Sequence, residues 1–132
     1  MKTRSLLGAA VFLLVLALPA AARDVVVAFY NVENYLPMKR KVGTQILESA
    51  PKPESEIRAV IAMLKRIRPD VLGLAEMGDD KLLAEFQERL SSEGLAFPHS
   101  EWVRGDDGER HLALLSKYPI LCLLYTSDAA DE

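Results

Sequence analysis

Apolar residues fall along the chain in two kinds of run. Val25 to Tyr30 and Val71 to Ala75 are short and nearly continuous, which predicts two buried strands, the second buried on both faces. Between them Ile57, Val60, Ile61, Leu64 and Ile67 recur at helical spacing, with Ser55 positioned to cap that helix. Pro69 then stops it, because proline lacks an amide donor and disfavours helical geometry in the residue before it. Gly78-Asp79-Asp80 turns the chain into a second amphipathic helix marked by Leu82, Leu83, Phe86 and Leu90, capped by one of the aspartates and closed by Ser91 to Gly94. Leu95 to Val103, interrupted by Pro98, reads as an edge strand or extended loop. Arg104 to Glu109 is a turn, and His111 to Ser116 a strand paired across it. Tyr35 to Pro53 carries Pro37, Gly43, Pro51 and Pro53 and reads as a loop or a short irregular helix. The order β-α-β-α-β-β predicts an α/β fold, a mixed sheet with helices on a face.

The two ends do not belong to this pattern. Residues 1–22 carry Lys2 and Arg4, an apolar run from Leu6 to Leu18 and then Ala20-Ala21-Ala22, the order of a signal peptide cleaved after Ala22. The run is shorter than the roughly 20 residues that span a bilayer, which argues against a membrane anchor. Export to the periplasm or the extracellular space is the expectation, with no stable membrane insertion after processing. Residues 122–132, Cys122 to Glu132, resemble translated sequencing-adapter read-through and read as a non-native tail. Residues 23–121 are then the folded part and contain no cysteine, so disulfides play no part in it.

Composition narrows the partners. Half of the 132 residues are hydrophobic and 27% are charged, as in an ordinary globular chain. Residues 23–121 hold 14 basic and 16 acidic residues, a net charge near −2, so no global basic field points to nucleic acid. Local clusters at Lys39-Arg40-Lys41 and at Lys65, Arg66 and Arg68 are candidates for phosphate contact, though the second also suits the dipole of a helix end.

The candidate chemistry sits where strands stop. Glu76 ends the apolar run from Val71, and a carboxylate there needs solvent, a cation or a metal beside it. Asn31-Val32-Glu33-Asn34 follows the first strand directly and concentrates oxygen donors, either as a ligand set or as an Asx-type turn leading out of the sheet.

Three separated motifs carry a resemblance: Tyr30-Asn31-Val32-Glu33-Asn34, then Arg68-Pro69-Asp70-Val71-Leu72-Gly73-Leu74-Ala75-Glu76, then Ala113-Leu114-Leu115-Ser116-Lys117-Tyr118-Pro119-Ile120. In this order they resemble the opening motifs of the endonuclease/exonuclease/phosphatase superfamily, over nearly all of Val25 to Ile120. The resemblance implies the N-terminal part of a four-layered α/β sandwich, two packed β-sheets flanked by helices. It implies Glu76 as the metal-binding glutamate, Asn31 as the asparagine that helps hold metal or phosphate, and Glu33 as a second acid, with Asn31 and Glu76 the catalytic pair. Mg²⁺, or Mn²⁺, is the implied cofactor, and a hard cation of this kind takes carboxylate and amide oxygens.

The implied function is an exported metal-dependent phosphoesterase, possessing phosphodiester or phosphomonoester hydrolase activity and including the endonuclease case. The substrate is a phosphate ester of nucleic acid, a phosphoinositide or a phospholipid headgroup, and the protein a monomer. The rival expectation is a secreted, non-catalytic binding domain on the same fold. The family's water-activating aspartate, Asp-x-Asn pair and terminal Asp-His lie beyond Leu121, so the part in hand is expected to be inactive by itself. His99 and His111 match none of them. With part of two sheets present, Ile57, Leu64 and Leu114 are expected to stay partly exposed.

Overall fold

The computed structural model describes residues 23–121. The signal peptide and the C-terminal tail read from the sequence lie outside the described residues. Within them the order is β1 (Val27–Tyr35), β2 (Met38–Val42), β3 (Gln45–Ala50), α1 (Glu54–Ile67), β4 (Val71–Met77), α2 (Asp80–Ser92), β5 (His99–Val103) and β6 (His111–Ser116). The fold is α/β: a four-stranded mixed sheet in the order β1-β4-β6-β5, a separate hairpin β2-β3, and two helices. β1 and β4 run parallel, in register from Val27 opposite Val71 to Asn31 opposite Ala75. β6 is antiparallel to both β4 and β5.

Both helices follow from local chemistry. α1 begins one residue before Ser55, which therefore lies inside it and does not cap it. Pro53 takes the cap position instead: its fixed φ suits a helix entrance, and its carbonyl accepts from the amides of Glu56 and Ile57 at 3.0 and 3.1 Å. Ile57, Val60, Ile61 and Leu64 are buried, whereas Ile67 is 43% exposed. At 3.6 residues per turn Ile67 lies about 70° off the centre of the buried stripe, on its rim. Arg68 ends the helix in a left-handed conformation (φ 53°), its amide donating to the Leu64 carbonyl at 2.7 Å. α2 is capped by Asp79, whose Oδ1 accepts from the Leu82 amide at 2.9 Å.

The core forms where the helices meet one sheet face. Val32, Leu72, Leu74, Ala113 and Leu115 project from the strands against Leu64 of α1 and Phe86 and Leu90 of α2. The expectation of a buried first strand and of a second buried on both faces is corrected here: Val71, Gly73 and Ala75, on the far face of β4, are only half-buried. Helices cover one face only, so on the other Val27 and Phe29 are each 70% exposed and Leu112 is 51% exposed. Ile57 and Leu64, expected to stay partly exposed, are buried because their cover is that helix-facing core; Leu114, on the uncovered face, is half-buried.

The reading of Tyr35 to Pro53 as a loop is also corrected. β2 and β3 pair antiparallel, Val42 opposite Gln45, and the chain reverses through Gly43 at φ 62°. Both strands are mostly exposed, so no periodic burial marked them.

Candidate functional site

β1 does not end at Tyr30. It runs on to Tyr35 through an irregularity in its pairing with β4 after Asn31, where Glu33 (φ 50°) and Asn34 (φ 58°) are left-handed. Inside that irregularity Asn31 Oδ1 accepts from the Glu33 amide at 2.7 Å, which is the expected Asx-type turn, formed within the strand. β4 is irregular at the same level: its register with β6 shifts between Leu74 and Met77, and Glu76 is left-handed at φ 59°. Leu72 and Leu74 face the helices, and strict alternation would send Glu76 there too. The shift re-aims it, leaving Glu76 half-buried at the strand end while Met77 fills the core.

The two strand ends meet through these side chains. Asn31 Nδ2 donates to Glu76 Oε1 at 2.8 Å, and the Asn34 amide donates to Oε2 at 3.1 Å. The orientation of the Asn31 amide is dictated by chemistry, since one side faces an acceptor and the other a donor. Left-handed conformations cost bulky residues on the order of 1–2 kcal/mol each. Glu33 and Glu76, with Asn34, adopt them where the two strand ends meet, which marks a place where hydrogen bonding overrides local preference.

Further residues, not read from the sequence, complete the surroundings. Arg110 Nε donates to Asn34 Oδ1 at 2.7 Å, and its Nη1 donates to Asp107 Oδ2 at 2.7 Å. The amides of Arg110 and Glu109, with the Arg110 guanidinium, hold the Asp107 carboxyl down at about 2. Asp107 in turn keeps Arg110 firmly charged, with Glu76 a weaker contributor to the same effect. The loop carrying them needs Gly105, where a Cβ would overlap the Arg110 carbonyl. On the other side Lys52, its side chain 3% exposed, donates to the Glu33 carbonyl at 3.2 Å and to Glu56 Oε2 at 2.7 Å. A recess of about 200 Å³ borders Asn31, Glu33 and Lys52. Arg110 carried no sequence cue beyond its charge in a turn; Lys52 was hidden among prolines.

Glu33 joins the network through its backbone. Among the described residues its carboxylate makes no hydrogen bond or ion pair, and no three His, Cys, Asp or Glu side chains converge as a metal cluster. The donor chemistry still fits a hard cation. Each Glu76 oxygen accepts one hydrogen bond and retains a lone pair, and Asn31 Oδ1 has a second lone pair; Mg²⁺ characteristically binds through one or two carboxylates and keeps several waters.

The remaining candidates lie elsewhere. Arg40 is structural, donating to the carbonyls of Asn34, Leu36 and Ala50, while Lys39 pairs with Glu48 and Lys65 with Glu93. His111 is buried, accepts the Gly105 amide on Nδ1 and packs on Trp102 at 4.4 Å, an ordinary structural role. Asp70, from the second motif, anchors the opposite end of the sheet. Its carboxylate accepts from the Val26 amide, Lys117 and Arg23, each at 3.0 Å, tying together the approaches to β1 and β4 and the segment after β6. Among the described residues no helix is long and apolar enough to cross a membrane. Comparison with protein-family models, curated proteins and solved structures finds no match for this chain.

Proposed function

We propose that the protein is an exported, metal-dependent phosphoesterase of the endonuclease/exonuclease/phosphatase type, built on the four-layered α/β sandwich that its three motifs resemble. The observation that carries this reading is the 2.8 Å contact between Asn31 and Glu76. Two polar residues from separate motifs, 45 positions apart, meet at the C-terminal ends of adjacent parallel strands, where ligands of open α/β sheets gather. Glu76 is the anionic ligand for Mg²⁺ or Mn²⁺. Asn31 fixes the Glu76 carboxylate and offers its own amide oxygen, and Glu33 supplies a second, freely placed acid. When bound, the cation neutralises charge on the phosphoryl oxygens of the ester. Arg110, exposed beside Asn34, is positioned to pair with a phosphate oxygen. The substrate class is a phosphate ester of nucleic acid, a phosphoinositide or a phospholipid headgroup, and the enzyme acts as a monomer.

Glu76→Gln in the full-length protein tests the reading. Glutamine keeps the shape and one acceptor but removes the charge, so hydrolysis of a generic phosphodiester should fall about a hundredfold, the scale of losing one strong electrostatic contributor. Calorimetric Mg²⁺ affinity should fall with it. Rates and metal binding like those of the unaltered protein would make Glu76 a strand-end surface residue and end the proposal. For export, mass spectrometry of secreted protein should find Arg23 at the N-terminus.

A further inference from the structure

Glu33 and Asn34 lie where the pairing of β1 with β4 is interrupted, between Asn31 and Tyr35, so the regular ladder leaves their carbonyls without partners. Backbone carbonyls in such a place take donors from elsewhere. The Glu33 carbonyl accepts from Lys52 Nζ at 3.2 Å, and the Asn34 carbonyl from Arg40 Nη2 at 2.7 Å. The Leu36 amide adds a second bond to the Asn34 carbonyl at 2.8 Å. Both cations come from the hairpin: Arg40 lies in β2, and Lys52 follows β3, which ends at Ala50.

Local structure aims each of them. Lys52 stands between Pro51 and Pro53, and proline both fixes its own φ and keeps the residue before it extended, so the backbone that carries Lys52 is stiff. Glu56, in the first turn of α1, accepts from the same Nζ at 2.7 Å. With its side chain 3% exposed, Lys52 pays desolvation that an apolar side chain of similar length would avoid. What the lysine adds in return is a donor to the Glu33 carbonyl. Arg40 spans the hairpin: its Nε donates to the Ala50 carbonyl and its Nη2 also to that of Leu36, each at 3.3 Å. It thereby ties the end of β3 to the end of β1.

The corner that these cations hold carries part of the strand-end site. Glu33 and Asn34 are both left-handed, a conformation that persists only where the surroundings enforce it. The Asn34 amide is one of two donors to the Glu76 carboxylate, at 3.1 Å, the other being Asn31. Relaxation of Asn34 toward an extended strand would turn that amide away and leave Glu76 Oε2 untethered. We propose that the β2-β3 hairpin is a positioning clamp for this site, in which Lys52 and Arg40 hold the Glu33-Asn34 corner left-handed and so keep the Asn34 amide on Glu76. The clamp rests on the phosphoesterase reading for what Glu76 does, and on hydrogen bonds alone for how Glu76 is held.

The test follows amide hydrogen exchange by NMR in the full-length protein with chelator present. Lys52→Met keeps the length of the side chain and removes the donor, so exchange at the Asn34 amide should quicken about tenfold, the scale of one hydrogen bond to a charged group. Arg40→Met should do the same, while the amides of Leu72 and Leu74 in the core keep their rates. Asp79→Ala, which loosens α2 instead, should leave Asn34 exchange unchanged. Unchanged exchange in either cation variant, or equal quickening in Asp79→Ala, would overturn the clamp. Calorimetry then reads its consequence: Mg²⁺ affinity should fall about tenfold in Lys52→Met, and hydrolysis should recover at saturating Mg²⁺. If Glu76→Gln lowers Mg²⁺ affinity and Lys52→Met does not, the link from corner to site is wrong. If neither variant alters it, the metal reading of Glu76 is what fails, and Asn34 exchange still decides whether the hairpin holds the corner.

Discussion

Replacing Asn31 with aspartate probes the meeting of the two strand ends more sharply than truncation does. The change keeps the acceptor that receives the Glu33 amide at 2.7 Å, so the local turn survives. It removes the donor that reaches Glu76 at 2.8 Å and sets a second carboxylate in its place. Two like charges at about 4 Å repel by about 1 kcal/mol in water and about 4 kcal/mol at an effective dielectric of 20. Asn31 is exposed and Glu76 half-buried, so solvent screening brings the value toward the lower limit. With about 1 kcal/mol for the lost hydrogen bond, Asn31→Asp should destabilise the fold by about 2 kcal/mol at neutral pH in the presence of chelator. For a domain of this size that lowers the melting temperature by about 8 °C or more. Mg²⁺ at about a hundred times its dissociation constant stabilises by about 2.7 kcal/mol and should restore the melt, because the variant presents two facing carboxylates to the ion. Thermal unfolding with chelator and with Mg²⁺ reads both effects. An unchanged melt in chelator would show that the side chains do not meet, and a lowered melt that Mg²⁺ fails to raise would show that this strand end does not hold a divalent cation.

Arg110→Ala should leave the melt unchanged but slow phosphoester hydrolysis about tenfold in the full-length protein, with partial recovery in Arg110→Lys; equal rates would remove Arg110 from substrate binding. Asp79→Ala should cost about 1 kcal/mol in urea unfolding, since it strips the cap from the Leu82 amide. Asp70 has a carboxyl held below its ordinary 3.8, first by the Val26 amide and then by Lys117. Its stabilisation is therefore complete above that ordinary value and lost as pH falls through the lowered one. Asp70→Asn should flatten this acid limb when unfolding is followed by circular dichroism, and an unchanged acid limb would show that the anchor is not formed.

Much of this molecule is determined by sequence alone, and for local reasons. The stripe Ile57, Val60, Ile61, Leu64 specifies α1, Pro69 enforces its end, and Asp79 declares the start of α2; each acts over a few residues. The chain reversal at Arg104 to Glu109 and the strand beyond it are equally local, as is the polar cluster after Tyr30. That Glu76 stands at a strand end also follows from the apolar run before it.

Other features depend on what lies across space. An apolar run reports that a face is apolar, not that anything covers it, and Val27 and Phe29 are open. The hairpin β2-β3 leaves no signal in the sequence because its strands pair with each other at the surface, with no buried face to impose a period of two. The site itself is tertiary. Asn31 and Glu76 come together because β1 and β4 are parallel neighbours, and Glu76 leaves the core only because the pairing of β4 with β6 shifts beneath it. Arg110 and Lys52 reach the same strand end from a distant loop and from the approach to α1, held there by hydrogen bonds to Asn34 and Glu33 that no spacing in the chain encodes.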